Sequence, residues 1–187
     1  MNDADFLQRL KSGDKLAFNE LVNLYKYNVI NTCYRFLLNK QDAEDVSQEV
    51  FVAVYQSLKS FRGNSKISTW IYRIAVTKSL DEIKKRKRQK RISSIGKLLH
   101  LDDFANWIAG GTMPDADLET SEKMTNVYLV LNKLPDKQRV AFSLSKIDGF
   151  ENQEIAEIMK TTIIAVESLL YRAKKKVSQD LINILKK

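Results

Sequence analysis

Residues 148–176 read DGFENQEIAEIMKTTIIAVESLLYRAKKK, which has the proportions of two helices joined by a tight turn. Ile155 and Ala156 give the short first helix an apolar face, and residues 160–162 form the predicted turn. The second helix has an apolar stripe at three- and four-residue spacing, which consists of Ile163, Val166, Leu170, Ala173 and Val177. The stretch therefore predicts a helix-turn-helix.

The opposite side of the second helix carries a set of mostly polar side chains that point outward together. This outward face consists of Glu167, Ser168, Tyr171, Arg172 and Lys175. A helix with such a face can enter the major groove of DNA, where each base pair presents a distinct pattern of donors and acceptors. A plain helical hairpin with a solvated face is the alternative.

Helical spacing extends over the rest of the chain, and no stretch alternates apolar and polar residues as a strand would. Asp42 is the predicted N-cap of a third helix, and a fourth begins near Ser68 or Thr69. The other predicted helices lie at about 3–11, 14–38, 121–132, 135–147, 152–159 and 163–184. We therefore expect an all-α fold of two helical bundles, 1–91 and 122–187, joined by a flexible acidic linker at 92–121.

Charge is distributed unevenly over the 187 residues, whose formal net charge is +8. Residues 84–100 contain 8 basic and no acidic side chains, whereas residues 101–122 contain 6 acidic and no basic ones. So dense a basic run repels itself unless phosphates or acidic partners lie near it. It favours contact with a nucleic-acid backbone, and a solvated helix end is the alternative.

Cys33 and His100 are the only cysteine and the only histidine in the chain. A single cysteine excludes an intramolecular disulfide, and together the two residues cannot form a Cys/His zinc site within one chain. Because the sequence has no Gly-rich phosphate loop or nucleophile motif, we expect no cofactor, no metal and no small-molecule substrate. The start of the chain lacks a signal-peptide pattern and no apolar run is of membrane-spanning length, so we expect a cytoplasmic protein without direct membrane insertion.

Aromatic and basic residues occur together between Phe61 and Arg91. Phe61, Trp70 and Tyr72 lie close in sequence to Arg62 and to further basic residues. Aromatic faces beside cations suit unstacked bases and single-stranded backbone. The alternative is that Trp70 belongs to the core.

An acidic cluster marks the start of the third predicted helix and contains Asp42, Glu44, Asp45, Gln48 and Glu49. Asp45 and Glu49 are one helical turn apart and therefore share a face. The cluster is open to three interpretations, which are a solvated face, a docking face for a basic partner, and catalytic carboxylates. The sequence offers no nearby histidine or second motif to complete a metal site.

Taken in order, these segments resemble a bacterial sigma factor of the sigma-70 family, extracytoplasmic-function (ECF) subfamily. In the first bundle the resemblance rests on Ala17-Phe18, Tyr34–Leu37, Asp42–Phe51, Phe61–Gly63, Ser68–Ala75 and Asp81. In the second it rests on Leu134-Pro135, Arg139, Phe142, Asp148-Gly149, Glu154–Ala156 and Arg172–Lys174. Each motif alone is weak, but the ordered set covers nearly the whole chain and is highly specific.

The resemblance implies a role for each part of the chain. The residues implied to bind the clamp helices of the RNA polymerase β′ subunit are Asp42, Asp45, Gln48 and Glu49. The residues expected to read and open the promoter −10 element are Phe61, Arg62, Gly63, Thr69, Trp70, Arg73, Thr77, Lys84, Lys85 and Arg86. The outward face is expected to read the −35 element, and the portion from Leu134 to Asp148 to lie by the polymerase β flap.

Three departures from the family pattern bear on specificity. Thr77 stands where the family usually has Asn, and it offers one hydroxyl instead of an amide's paired donor and acceptor. Glu167 and Leu169 stand where the family has basic residues, so the affinity of this module for DNA should fall, although a Glu can accept from a cytosine amine. Glu151 stands where the family often has a Ser or Thr cap.

The expected function is that of a non-enzymatic subunit that binds core RNA polymerase, recognises promoter DNA and helps to separate its strands. The expected partners are core RNA polymerase, promoter DNA and an anti-sigma factor. Two alternatives come from other classes of protein. One is a stand-alone repressor that binds duplex DNA, and the other is a metal-dependent nuclease that uses Asp42, Asp45 and Glu49.

Overall fold

The computed structural model describes residues 3–92 and 127–185, and all regular secondary structure in these ranges is helical. The N-terminal module contains α1 (Asp3–Lys11), α2 (Lys15–Leu37), α3 (Lys40–Ser57), a short 3-10 turn (Leu58–Ser60) and α4 (Ile67–Ile92). The C-terminal module contains helical residues 127–132 (α5), α6 (Asp136–Lys146), α7 (Asn152–Met159) and α8 (Ile163–Leu185). The predicted all-α fold is confirmed. The predicted linker beyond Ile92, and residues 121–126 of a predicted helix, lie outside the described residues.

Two capping residues set the boundaries of the long hairpin formed by α2 and α3. The Asp14 carboxylate accepts hydrogen bonds from the backbone N–H groups of Leu16 (2.8 Å) and Ala17 (3.3 Å). The predicted N-cap of α3 was wrong, because Asn39 occupies that position and its side chain accepts from the Asp42 N–H at 3.0 Å. Asp42 therefore lies in the first turn, where its negative charge suits the helix dipole.

The core of the N-terminal module follows the apolar spacing of the sequence. On α3 and the turn after it, the predicted stripe is buried and consists of Ala43, Val46, Val50, Val54 and Leu58. It packs against Leu21 and Val29 of α2 and against Ile71 of α4, each at most 1% exposed. Burial of a side chain of this size contributes about 1.5–3 kcal/mol, so these helices hold one another in place.

The C-terminal module contains the predicted helix-turn-helix, formed by α7 and α8. Lys160 in the turn has a left-handed backbone (φ +51°), and Val166, Leu170 and Ala173 face inward as expected. Ile163 departs from the prediction. It is 44% exposed because it stands at the first position of α8, before the helix has turned toward the core.

The two modules pack against each other, which the sequence did not predict. One apolar cluster joins Leu131 and Ala173 of the C-terminal module to the α2–α4 core. A second joins Phe36 and Val76 of the N-terminal module to the core around Ile155. Since each cluster draws on both modules, the described chain adopts a closed arrangement.

Candidate nucleic-acid interfaces and docking face

The acidic face predicted on α3 consists of Asp42, Asp45, Gln48 and Glu49, and the last three are exposed. Asp42 is partly covered because it pairs with Arg86 of α4. The Glu49 carboxylate accepts from Lys78 Nζ at 3.0 Å, also on α4. Such partly exposed pairs contribute at most about 1 kcal/mol each. The face is therefore solvent-accessible, and a partner with basic groups can compete for its carboxylates.

The loop between α3 and α4 holds the first of the residues predicted to meet the −10 element. Phe61 is 6% exposed, and its ring packs on Trp70 with centroids 4.8 Å apart. Arg62 and Gly63 are exposed, and the φ of +77° at Gly63 is one that side-chain-bearing residues rarely adopt. The sequence left open whether Trp70 belongs to the core or is free to stack on bases. In the structure Trp70 is half-buried and packs against Phe61.

The first half of α4 carries the other predicted −10 residues at different depths. Thr69 is 2% exposed, whereas Thr77 is exposed and its hydroxyl donates to the backbone oxygen of Arg73 at 2.8 Å. The Nε of Arg73 is buried and has no hydrogen-bond partner among the described residues. Thr77 and Arg73 are one turn apart, so they share a side of the helix.

The basic run on the second half of α4 is exposed at Lys84 and Lys85 and partly covered at Arg86. Lys84 pairs with Asp81 and Lys85 with Glu82, each at 3.0 Å. Arg86 pairs with Asp42 and lies 3.6 Å from Glu82. The exposed pairs contribute little to stability, so Lys84 and Lys85 remain available for phosphate contacts.

The outward face of α8 is fully formed. Its five residues are all exposed, and Tyr171 is 70% exposed. The guanidinium of Arg172 folds back along the helix, where Nη2 donates to Ser168 Oγ at 2.7 Å and Nε donates to the Ser168 backbone oxygen at 3.2 Å. The structure therefore brings together every residue that the sequence predicted for the −35 element.

A buried polar cluster lies at the boundary between the modules, and the sequence did not predict it. It contains Thr32 and Arg35 of α2, Tyr72 of α4 and Asp148. The side chains of Arg35 and Asp148 form an ion pair and are 6% and 8% exposed. Arg35 also donates to Thr32 at 2.7 Å, and Asp148 accepts from Thr32 at 3.3 Å. The one available signal was an arginine within the apolar run Tyr34–Leu37, because a charge there requires a partner.

Burial governs the ionisation of this cluster and of Cys33. Burial raises the pKa of the Asp148 carboxyl. The neighbouring Arg35 guanidinium lowers this pKa by less, so the pKa stays above its usual value. Burial also raises the pKa of Tyr72 to about 12, so its hydroxyl remains a donor at neutral pH. The pKa of Cys33 is raised by burial to about 12 as well, so this buried thiol stays protonated at neutral pH.

An ion pair also links the modules at their surface. Lys66, just before α4, lies 3.0 Å from Glu154 of α7. The pKa of Glu154 is lowered first by the backbone N–H of Glu151 and then by Lys66. Lys66 is largely exposed, so this pair contributes little to the stability of the packed modules.

Metal-binding groups and membrane-spanning helices are both absent from the part of the chain that the structure describes. It contains no group of three or more His, Cys, Asp or Glu side chains placed to hold a metal ion. Within the same residues, no helix combines the length and the apolar character needed to cross a bilayer.

Comparison with known proteins identifies both modules. Residues 21–89 match the model of Sigma-70 region 2, and residues 124–177 match that of Sigma-70, region 4. The chain is 32% identical over 176 residues to the ECF RNA polymerase sigma factor SigW of Bacillus subtilis, with 94% of each chain covered. It is 31% identical over 182 residues to the ECF RNA polymerase sigma-E factor of Escherichia coli K12, which covers 95% of this chain and 93% of the relative.

Two solved structures share the fold over most of the chain. CnrH, in complex with the cytosolic domain of CnrY, has a TM-score of 0.69 and 23% identity, with 97% of each chain covered. The sigma factor RpoE of Bartonella quintana, in complex with the anti-sigma factor NepR, has a TM-score of 0.73 and 20% identity, with 88% of this chain and 96% of RpoE covered. The sequence matches decide the family, and the chain belongs to the ECF sigma factors of the sigma-70 family, which direct RNA polymerase to promoters in transcription initiation.

Proposed function

We propose that the two modules divide promoter recognition between them, with the outward face of α8 on the −35 element and the loop and helix from Phe61 to Arg86 on the −10 element. The observation that carries this proposal is the joint exposure of all five outward residues on the second helix of a helix-turn-helix. Such helices place their N-terminal residues against base edges in the major groove. The basic residues farther along α8 are then near phosphates, which fix the register of the complex.

The acidic face of α3 is the proposed docking surface for the β′ clamp helices of core RNA polymerase. Its three exposed residues lie on one side of the helix, and the carboxylates are held only by weak surface pairs. Charge complementarity of this kind raises association rates and selects the partner. The surface of α6 and its flanks, from Leu134 to Asp148, is the proposed contact with the β flap.

Reversal of charge at Glu49 is expected to weaken polymerase binding without unfolding the protein. Glu49→Lys places a cation on the acidic face and repels Lys78, whereas the side chain itself lies outside the core. We expect at least a tenfold loss of affinity for core polymerase at low salt, measured by fluorescence anisotropy, with an unchanged circular dichroism spectrum. The matched control is Asp5→Lys, an equal charge change at an exposed position of α1. Equal affinities of the two variants would show that the acidic face does not dock.

The −10 element is proposed to meet an aromatic and basic surface. Phe61 and Trp70 pack ring against ring, Arg62 is exposed next to Phe61, and Thr77 is exposed two turns after Trp70 on α4. An unpaired base taken out of the duplex stack would be held by stacking and by hydrogen bonds to its edge. The packed Phe61 ring would have to move to stack on a base itself.

Replacement of Thr77 by asparagine is expected to change the −10 preference and leave stability nearly unaltered. Thr77 is exposed on α4 and its hydroxyl bonds only to the preceding turn, so the fold does not depend on it. Asparagine adds a paired donor and acceptor that can recognise a base edge. Selection of active promoters from a library randomised at the −10 element should yield different consensus sequences for the two proteins. Identical consensus sequences would exclude Thr77 from base reading.

Promoter binding requires the closed arrangement to open. The modules touch each other in this structure, whereas two DNA elements about two helical turns apart are separated by roughly 70 Å. Residues 93–126 connect the modules, and a chain of that length extends to roughly 110 Å. This connecting segment is therefore long enough, and the contacts between the modules must be broken.

Control by an anti-sigma factor is part of the proposal, because CnrH and RpoE share the fold in complexes with CnrY and with the anti-sigma factor NepR. The protein is proposed to act without catalysis of its own, alongside RNA polymerase in the cell interior. Transcription reconstituted from core polymerase, this chain and fragmented genomic DNA tests the proposal. Discrete transcripts that depend on the chain would support it, and tight operator binding without any such transcripts would favour a repressor.

A further inference from the structure

An isoleucine at the start of α8 is unusually exposed. Ile164 is 78% exposed, which is the highest exposure of any large apolar side chain among the described residues. A single exposed apolar residue is ordinary on a protein surface, so exposure alone assigns nothing. Its position on the helix supplies the second observation.

Ile164 lies in line with the outward face. Glu167, Ser168 and Tyr171 follow it at three, four and seven residues, which places all four on one side of the helix. Val166 and Leu170 are buried on the other side. The packed N-terminal module leaves Ile164 uncovered too, so neither the core nor the closed arrangement explains the side chain.

The start of α8 is held in a defined position. Thr162 Oγ1 accepts a hydrogen bond from the Ala165 backbone N–H at 3.2 Å, which caps the first turn. Ile164 therefore projects from a fixed point at the N-terminal end of the helix. That end is the one that helix-turn-helix proteins bring to the base edges.

Chemistry then restricts what Ile164 can recognise. An aliphatic side chain neither donates nor accepts a hydrogen bond, and the apolar group that base edges offer in the major groove is the 5-methyl group of thymine. Lys175 on the same face provides a cation that can position the helix on phosphates. We infer that Ile164 is a specificity-determining residue that reads the methyl group of one thymine in the −35 element. This inference rests on the proposed role of α8.

The test removes the methyl group from the DNA and the side chain from the protein. Full-length chain on core polymerase first selects binding sites from duplexes randomised at the −35 element. In a selected duplex, each thymine is then replaced singly by deoxyuracil, which lacks only that methyl. We expect one replacement to weaken binding by the wild type about fourfold, the effect of one buried methyl group. Ile164→Ala should be weakened on the thymine duplex and should not distinguish thymine from deoxyuracil at that position.

Ile182→Ala is the matched control. Ile182 is 50% exposed and lies eighteen residues farther along α8, which is five full turns on the same side of the helix and about 27 Å away. This variant should respond to deoxyuracil as the wild type does. Its folding and polymerase binding also report whether loss of an exposed isoleucine from α8 has a general effect.

The outcomes separate this inference from the proposed function. If a −35 consensus is selected and Arg172→Ala weakens it, but no deoxyuracil has an effect, then α8 reads DNA and the role of Ile164 is overturned. If Ile164→Ala weakens binding equally on thymine and deoxyuracil duplexes, Ile164 acts by another route and the inference is overturned as well. If no −35 consensus is selected although polymerase binds, the proposed function of α8 fails, and the inference with it.

Discussion

Replacement of Asp148 by alanine is expected to open the closed arrangement of the two modules. In the wild type, Asp148 supplies the counter-charge for Arg35, whose side chain is 6% exposed. A charge left buried without its partner costs about 3–5 kcal/mol. The chain can avoid most of this cost if the modules separate and water reaches Arg35. Since Arg35 Nε is buried without a hydrogen-bond partner among the described residues, opening also hydrates this unsatisfied atom.

The opening can be followed by energy transfer between dyes on two introduced cysteines. Exposed Lys15 and Lys174 provide one position in each module, and buried Cys33, with its raised pKa, should not take up label. Asp148→Ala should lower the transfer efficiency, and Glu157→Ala, which removes an exposed acid, should not. The double variant Arg35→Met, Asp148→Leu replaces both charges by apolar groups and should restore closure. High transfer in Asp148→Ala with unchanged helicity would show that the pair does not hold the modules together.

Replacement of Arg172 by alanine is expected to reduce binding to the −35 element by about 1–3 kcal/mol, which is roughly 5- to 150-fold, if the guanidinium contacts a base. Arg172 is exposed, and its bonds to Ser168 aim the guanidinium along the outward face. The loss of affinity should therefore occur without loss of stability. The measurement is binding of labelled promoter duplexes by the polymerase complex, on the selected −35 element and on mutated ones.

Two further variants separate base reading from charge. Arg172→Lys keeps the positive charge but loses the planar, bidentate donor pair, so it should recover non-specific affinity and not specificity. Lys26→Ala removes one exposed charge from α2 and should leave −35 discrimination unchanged. Equal discrimination by wild type and Arg172→Ala would remove Arg172 from the base-reading set.

The helices were predictable because each has a local cause. Apolar residues at three- and four-residue spacing gave the buried stripe of α3 and the inward residues of α8, and residues 160–162 gave the turn between α7 and α8. The errors also have local causes. Asn39, three residues before Asp42, is also a good N-cap residue, and it occupies the N-cap of α3. Ile163 fits the apolar period but stands too early in α8 to reach the core.

One candidate site could be predicted from the sequence, and one property of another could not. The outward face of α8 could be predicted in full, since five exposed residues on one helix require only the helical period and the inward stripe. The burial of the residues proposed to meet the −10 element could not be predicted from the sequence. Thr69 and Phe61 are buried and Thr77 is exposed, and this difference depends on how α4 packs against its neighbours.

By itself the sequence determined the helical period, the two modules, their charge pattern and the motifs of the sigma-70 family, because these are properties of residues close together in the chain. Only the tertiary structure decided that the modules close on each other. That arrangement brings Arg35 to Asp148, 113 residues away, and forms apolar clusters shared by both modules. Contacts between distant residues leave no periodicity in the sequence, since they are set by which surfaces bury one another once the helices have formed.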